Sequence, residues 1–140
     1  MAYSFKKNGK KISVVTDTGI VTEQIKASIS DSDILVLESN HEVNILLYGR
    51  YPYKVKHRIL SDEGHLSNEA AGKCILDFIK NLKEPKVPRV LLAHLSQENN
   101  TPQQAYLTIK NILEEEEVYL DKDLKMEALS PEEMGDFIII

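Results

Sequence analysis

Two short unbroken apolar runs, residues 34–37 and 90–93, stand on either side of a stretch with helical periodicity, and this pattern restricts the fold more than any other feature. Runs of four or five apolar residues suit strands buried on both faces. Between them, Ala71, Cys74, Ile75, Phe78, Ile79 and Leu82 recur at spacings of three and four, so one stripe of a helix starting near Ser67 packs against the sheet. Pro85 and Pro88 end that helix before the second run. Strand, helix, strand is the unit from which α/β layers are built.

The flanking segments extend the unit. Residues 3–5 and 12–16, joined through Asn8-Gly9, predict a β-hairpin. Thr22 followed by Glu23 predicts the cap and first turn of a short helix carrying Ile25 and Ile29. Val43, Leu46 and Leu47 fall on one helical face within residues 41–49, and another short helix is expected after Pro52, closed near Gly64. Thr101, Pro102 and Gln104 form a capping box with proline at the first helical position, for a helix reaching about residue 115. Residues 118–120, 125–129 and 137–140 read as terminal strands separated by Pro131 and Gly135. There is no internal repeat, and no low-complexity linker beyond residues 114–117.

At 140 residues and 42% hydrophobic content, the chain suits a single domain over residues 1–140 with a real core. No apolar run approaches the roughly 20 residues that cross a bilayer, so no membrane partner is expected. Residues 1–7 lack the apolar core of a signal peptide, and Cys74 is the only cysteine, which together favour a reducing, cytoplasmic setting. A net charge of −5 argues against binding nucleic acid by bulk charge, yet leaves room for a local basic patch. Arg50, Lys54, Lys56, His57 and Arg58, with Tyr48, Tyr51 and Tyr53 interleaved, supply one. Such a cluster suits a nucleic-acid backbone, and it equally suits a solvated helical face.

Chemistry-bearing residues gather where strands end. Thr16-Asp17-Thr18-Gly19, Glu38-Ser39-Asn40-His41-Glu42 and Ala93-His94-Leu95-Ser96 each follow a strand, and Gly64-His65-Leu66-Ser67-Asn68 precedes the long helix. In open α/β sheets, ligands bind at the carboxyl ends of strands. Asp17 is either a carboxylate shared by two cations or an ordinary turn former. His94 suits a metal ligand or a hydrogen-bonded core imidazole. His65 suits a general acid or a residue of a helix N-terminal turn, and Glu38 or Glu42 would orient it by accepting its other N–H or would start a helix. His57 reads as a surface residue.

These blocks, with Gly49-Arg50-Tyr51-Pro52, the run from Arg58 into Gly64-His65, and Gln97-Glu98-Asn99-Asn100, resemble the WalJ/YycJ group of metallo-β-lactamase-fold proteins, in order from about residue 3 to residue 120. The resemblance implies an α/β fold, the C-terminal half of an αββα sandwich, with a mixed sheet flanked by helices. It implies a metal-dependent hydrolase related to ribonuclease Z, a phosphodiesterase acting on DNA as a 5′-exonuclease, with two divalent ions, zinc or manganese, and a hydroxide held on them as nucleophile. Asp17 would bridge the two metals and His94 would ligate one. His65 would contact the scissile phosphate with Glu38 behind it, and Arg50, Lys54, Lys56 and Arg58 would meet the nucleic acid.

One departure limits this reading. The group carries a His-x-His-x-Asp-His signature upstream, whereas the four histidines here, His41, His57, His65 and His94, are never two apart. Asp17 and His94 alone fall short of the three or four protein ligands that hold catalytic zinc. The expectation is therefore a C-terminal half that binds few or no metal ions by itself, lacks activity alone, and exposes an apolar face through which it self-associates until the N-terminal half covers it. The alternative is a non-catalytic binding or regulatory module that retains the fold.

Overall fold

The computed structural model describes residues 1–130; the strand expected at residues 137–140 lies outside them. The hairpin forms as expected, with β1 (Ala2–Lys7) antiparallel to β2 (Lys10–Val15). The turn uses left-handed backbone at Asn8 and Gly9, the two residue types that adopt it at least cost. From β2 the order continues with β3 (Ile34–Glu38), β4 (Arg89–Ala93) and β5 (Lys125–Ala128), each parallel to its neighbour. The result is a five-stranded mixed sheet in the order β1-β2-β3-β4-β5. Its parallel part sets the carboxyl ends of β2, β3 and β4 side by side.

Register divides the sheet into two faces. Val15, Leu37, Leu92 and Ala128 align across one face, as do Leu35, Val90 and Met126. These residues join one core with Ile29 of α1 (Glu23–Ile29), Ala71, Cys74, Ile75 and Phe78 of α4 (Asn68–Lys80), and Ala105, Ile109 and Leu113 of α5 (Pro102–Glu115). Burying a large aliphatic side chain contributes roughly 1.5–3 kcal/mol, so this face holds the layers together. The opposite face aligns Tyr3, Val14, Val36 and Leu91, with Phe5, Ile12 and Ile34 beside them, and none of these belongs to the helix-side core. Tyr3 and Phe5 are 53% and 63% exposed.

Local chemistry explains the helix starts. Thr22, Ser67 and Thr101 each accept a backbone N–H of the first turn. The capping box at α5 is only half made, because the Gln104 amide turns to Glu42 and Thr108 while the N–H of Thr101 goes to Asn100 Oδ1. Two shorter helices, α2 (Val43–Tyr48) and α3 (Tyr53–Leu60), lie between β3 and α4. Residues 118–120 do not form the expected strand: Glu117 and Asp121 take left-handed φ, which breaks extended backbone, and only Leu120 pairs, with Leu124. Among the described residues no helix is long and apolar enough to cross a membrane.

Candidate functional site

Beyond β3 the backbone of residues 39–41 hydrogen-bonds to chain segments on both sides and becomes the frame of a site. Ser39 N–H donates to the Ala93 carbonyl, Asn40 N–H to that of Leu66, and Asn68 N–H to that of His41, at 2.8–3.0 Å. On the other side, Ser96 N–H donates to the Asn40 carbonyl at 2.8 Å, and the Asn40 amide donates to the His94 carbonyl at 2.9 Å. The segment bearing His65 and the loop bearing His94 are thereby clamped to the same three residues. A reciprocal pair of amide hydrogen bonds between Asn68 and Asn100, both 2.9 Å, ties the start of α4 to the start of α5. Ser39 closes this buried network by donating to Asn68 Oδ1 at 2.6 Å.

Four side chains converge on this frame: Asp17 after β2, Glu38 at the end of β3, His65 ahead of α4, and His94 after β4. One donor atom from each lies within 4.8 Å of every other. Glu38, with 0% exposure, is the centre of the group. Its Oε1 accepts the Leu66 N–H at 3.2 Å, and its Oε2 meets Nδ1 of His65 at 2.9 Å and Nδ1 of His94. Asp17 Oδ1 stands 3.8 Å from His65 Nδ1 and 3.6 Å from His94 Nδ1. The two rings meet edge to face, their centroids 5.1 Å apart.

Backbone conformation at two of these positions is unusual. Asp17 and His94 have φ of 55° and 53°, in the left-handed region that costs most residues free energy. Asp17 is thus both a turn former and a member of the cluster. Gly19 has no positive φ; it is required by close approach, since a Cβ there would lie 1.8 Å from the Ser61 carbonyl oxygen. That approach, with Gly19 N–H donating to the Asp62 carbonyl, brings the Asp17 loop against the end of α3.

Of the two carboxylates weighed behind His65, the structure brings Glu38 to it. Glu42 points elsewhere, accepting from Asn68, Gln104 and Thr108. Glu38 also touches His94, so the pair expected for acid–base work and the pair expected for metal form one tetrad. The basic residues divide as well. Lys54 and Arg58 line a cleft of about 610 Å³ together with Asp17, Gly64 and His65. Arg50 is paired with Glu98 at 2.6 Å, and Lys56 donates to the Leu47 carbonyl. His57 is on the exposed surface.

Sequence reasoning gave no role to Asn40, Asn68 or Asn100, whose amides fix the site loops. Their signal was the recurrence of Ser-Asn or Asn-Asn immediately after a strand or before a helix, at Ser39-Asn40, Ser67-Asn68 and Asn99-Asn100. His41, 1% exposed, is a buried member of the same frame. Burial, and next the neighbouring His65, push its imidazole down to about 4, so it is neutral at pH 7.

The donor set fits a divalent cation. Imidazole nitrogen and carboxylate oxygen are ligands favoured by zinc and manganese; Asp17 and His94 would supply two of them, while Glu38, engaged with both rings and the Leu66 N–H, would orient the imidazoles.

No protein-family model matches the chain. The exodeoxyribonuclease YycJ of Bacillus anthracis is 41% identical over 115 residues, covering 82% of this chain and 42% of that protein. The exodeoxyribonuclease WalJ of Streptococcus pneumoniae is 35% identical over 130 residues, 93% of this chain and 47% of that protein. This chain is similar to part of each of these WalJ/YycJ proteins. It spans about half the length of the curated relatives it matches. A likeness of shape points to the fold: the metallo-β-lactamase fold protein YhfI of Bacillus subtilis superimposes with a TM-score of 0.54 at 14% identity, over 79% of this chain and 36% of YhfI. The five-stranded sheet with helices on one face accordingly corresponds to part of a metallo-β-lactamase fold.

Proposed function

We propose that the chain is the C-terminal half of a metal-dependent nuclease that hydrolyses DNA phosphodiesters from a 5′ end. The observation that carries this reading is the convergence of Asp17, His65 and His94 on the buried carboxylate of Glu38 at one end of the sheet. Asp17 and His94 hold part of a pair of divalent cations, zinc or manganese, whose remaining ligands come from the upstream half. When bound, such cations supply Lewis acidity at the phosphate oxygens and acidify a water near neutral pH.

The chain's own residues do the rest. Glu38 accepts Nδ1–H from both rings, which fixes their orientation and turns each Nε2 outward. His65 then donates a proton from Nε2 to the leaving oxygen while Nδ1–H stays on Glu38. Lys54 and Arg58, beside His65 in the cleft, hold the phosphodiester backbone. Arg50 and Lys56 contribute less, because their cationic groups already have partners.

The test joins these 140 residues to the upstream half and follows nucleotide release from 5′-labelled DNA in zinc or manganese. His65→Ala and His94→Ala are each expected to lower kcat by roughly 10²–10⁴. Either variant retaining more than a tenth of the rate refutes the assignment. The 140 residues alone are expected to hold less than stoichiometric zinc after dialysis and to release no nucleotide. Elemental analysis giving one zinc or more per chain would contradict the half-site reading.

A further inference from the structure

The end of the sheet opposite the tetrad carries a second charged surface. Lys6, Lys7, Lys10 and Lys11 of the β1–β2 hairpin and Lys83 and Lys86 of the loop before β4 line one cleft of about 650 Å³. Two segments more than seventy residues apart in sequence thus bring six ammonium groups together in a chain whose net charge is −5. The three carboxylates of the cleft do not balance them. Asp33 accepts the Lys11 N–H and faces Lys86, Asp31 accepts the Lys83 N–H, and Glu84 is the third. Lys6, Lys7, Lys10 and Lys83 have no ion pair among the described residues. Burial lowers the Lys11 ammonium, with Lys6, Lys83 and Lys86 adding to the effect and Asp31 opposing it. Like charges held in a concavity without partners repel, and a polyanion relieves that repulsion.

We propose that this lysine cleft is a second nucleic-acid contact, which holds the phosphodiester backbone at a distance from the tetrad. Spacing supports the assignment. The strands β2, β3 and β4 run from the cleft to the tetrad and are five or six residues long, or about 17–20 Å. That distance is matched by about five or six successive phosphates of one strand of a duplex. The inference goes beyond the nuclease reading, since it needs no metal and no chemistry at the tetrad.

The experiment measures binding of fluorescent dT20 and dT5 to the 140-residue chain by anisotropy, as a function of sodium chloride. Lys7→Gln/Lys10→Gln/Lys83→Gln changes only exposed lysines, and circular dichroism checks that it folds. For dT20 it is expected to weaken binding at least tenfold at low salt and to reduce the slope of log K against log salt by about 2. The effect should shrink for dT5. Lys54→Gln/Arg58→Gln, at the other end, reports on the site reading separately. If that variant weakens dT20 and the triple variant does not, the lysine cleft is refuted while the nuclease reading stands. No measurable binding of dT20 at 50 mM salt refutes the cleft as well. Displacement of dT20 and dT5 alike by micromolar tripolyphosphate would assign a small phosphate anion and overturn the nucleic-acid assignment.

Discussion

His41 shows how the candidate site constrains a single residue. Its carbonyl accepts the Asn68 N–H and its ring is buried beside the frame, so the position cannot exchange its backbone role for solvent. The ring is held at about 4, against 6.5 in an unfolded chain. Between those values the unfolded state binds a proton that the folded state refuses, so stability falls as pH drops from 6.5 towards 4 and is unaffected by His41 above 6.5. The full loss is roughly 3 kcal/mol. Urea unfolding at pH 7.5 and 5.0 should therefore show a larger decline for the natural protein than for His41→Gln. Equal declines would remove the buried imidazole as the cause. The same burial argument applies to Cys74, where burial first and Asp77 second push the thiol up to about 12.

At the scale of elements, α4 and α5 are set by one small residue. A Cβ on Gly72 would lie 2.7 Å from Cδ1 of Ile112 on α5. Glycine inside a helix costs about 1 kcal/mol against alanine, and here it permits the close contact of two helices. Gly72→Ala alone should change stability by less than about 1 kcal/mol, because propensity gain and crowding oppose each other. In an Ile112→Val background, which removes Cδ1, the same change should stabilise by about 1 kcal/mol. Thermal unfolding of the four proteins checks this, and additive effects would count against the contact. The elements themselves were legible in sequence wherever a periodic stripe met a cap, as at Thr22, Ser67 and Thr101. Parallel pairing was not, since polarity is set by which strands the helices connect. The strand expected at residues 118–120 failed because left-handed backbone at Glu117 and Asp121 is no part of hydropathy. Within the site, Asp17, Glu38, His65 and His94 were legible from their places at strand and helix ends. The sharing of Glu38 by two rings was not, because it depends on side chains 27 and 56 residues apart. Neither was the division of the basic cluster, which follows from partners such as Glu98 and the Leu47 carbonyl.

On the scale of the whole molecule, the sheet has helices on one face and an aligned apolar surface on the other. Exposed Tyr3 and Phe5 and half-buried Ile12, Val14, Val36 and Leu91 form that second surface, reaching the sheet edge at β1. In an αββα sandwich this is the face on which a second sheet packs, and inner faces of paired sheets lie about 10 Å apart. Without such a cover, a contiguous apolar face beside an open strand edge drives association between copies. The 140-residue chain should therefore form dimers or larger species at concentrations on the order of hundreds of micromolar. Phe5→Glu places a charge on an exposed position of that face, so it should shift the population towards monomer with little effect on unfolding. Light scattering across a concentration series distinguishes the outcomes. A natural chain that stays monomeric throughout would mean that this face is not an association surface, and an unchanged oligomer in Phe5→Glu would move the contact elsewhere.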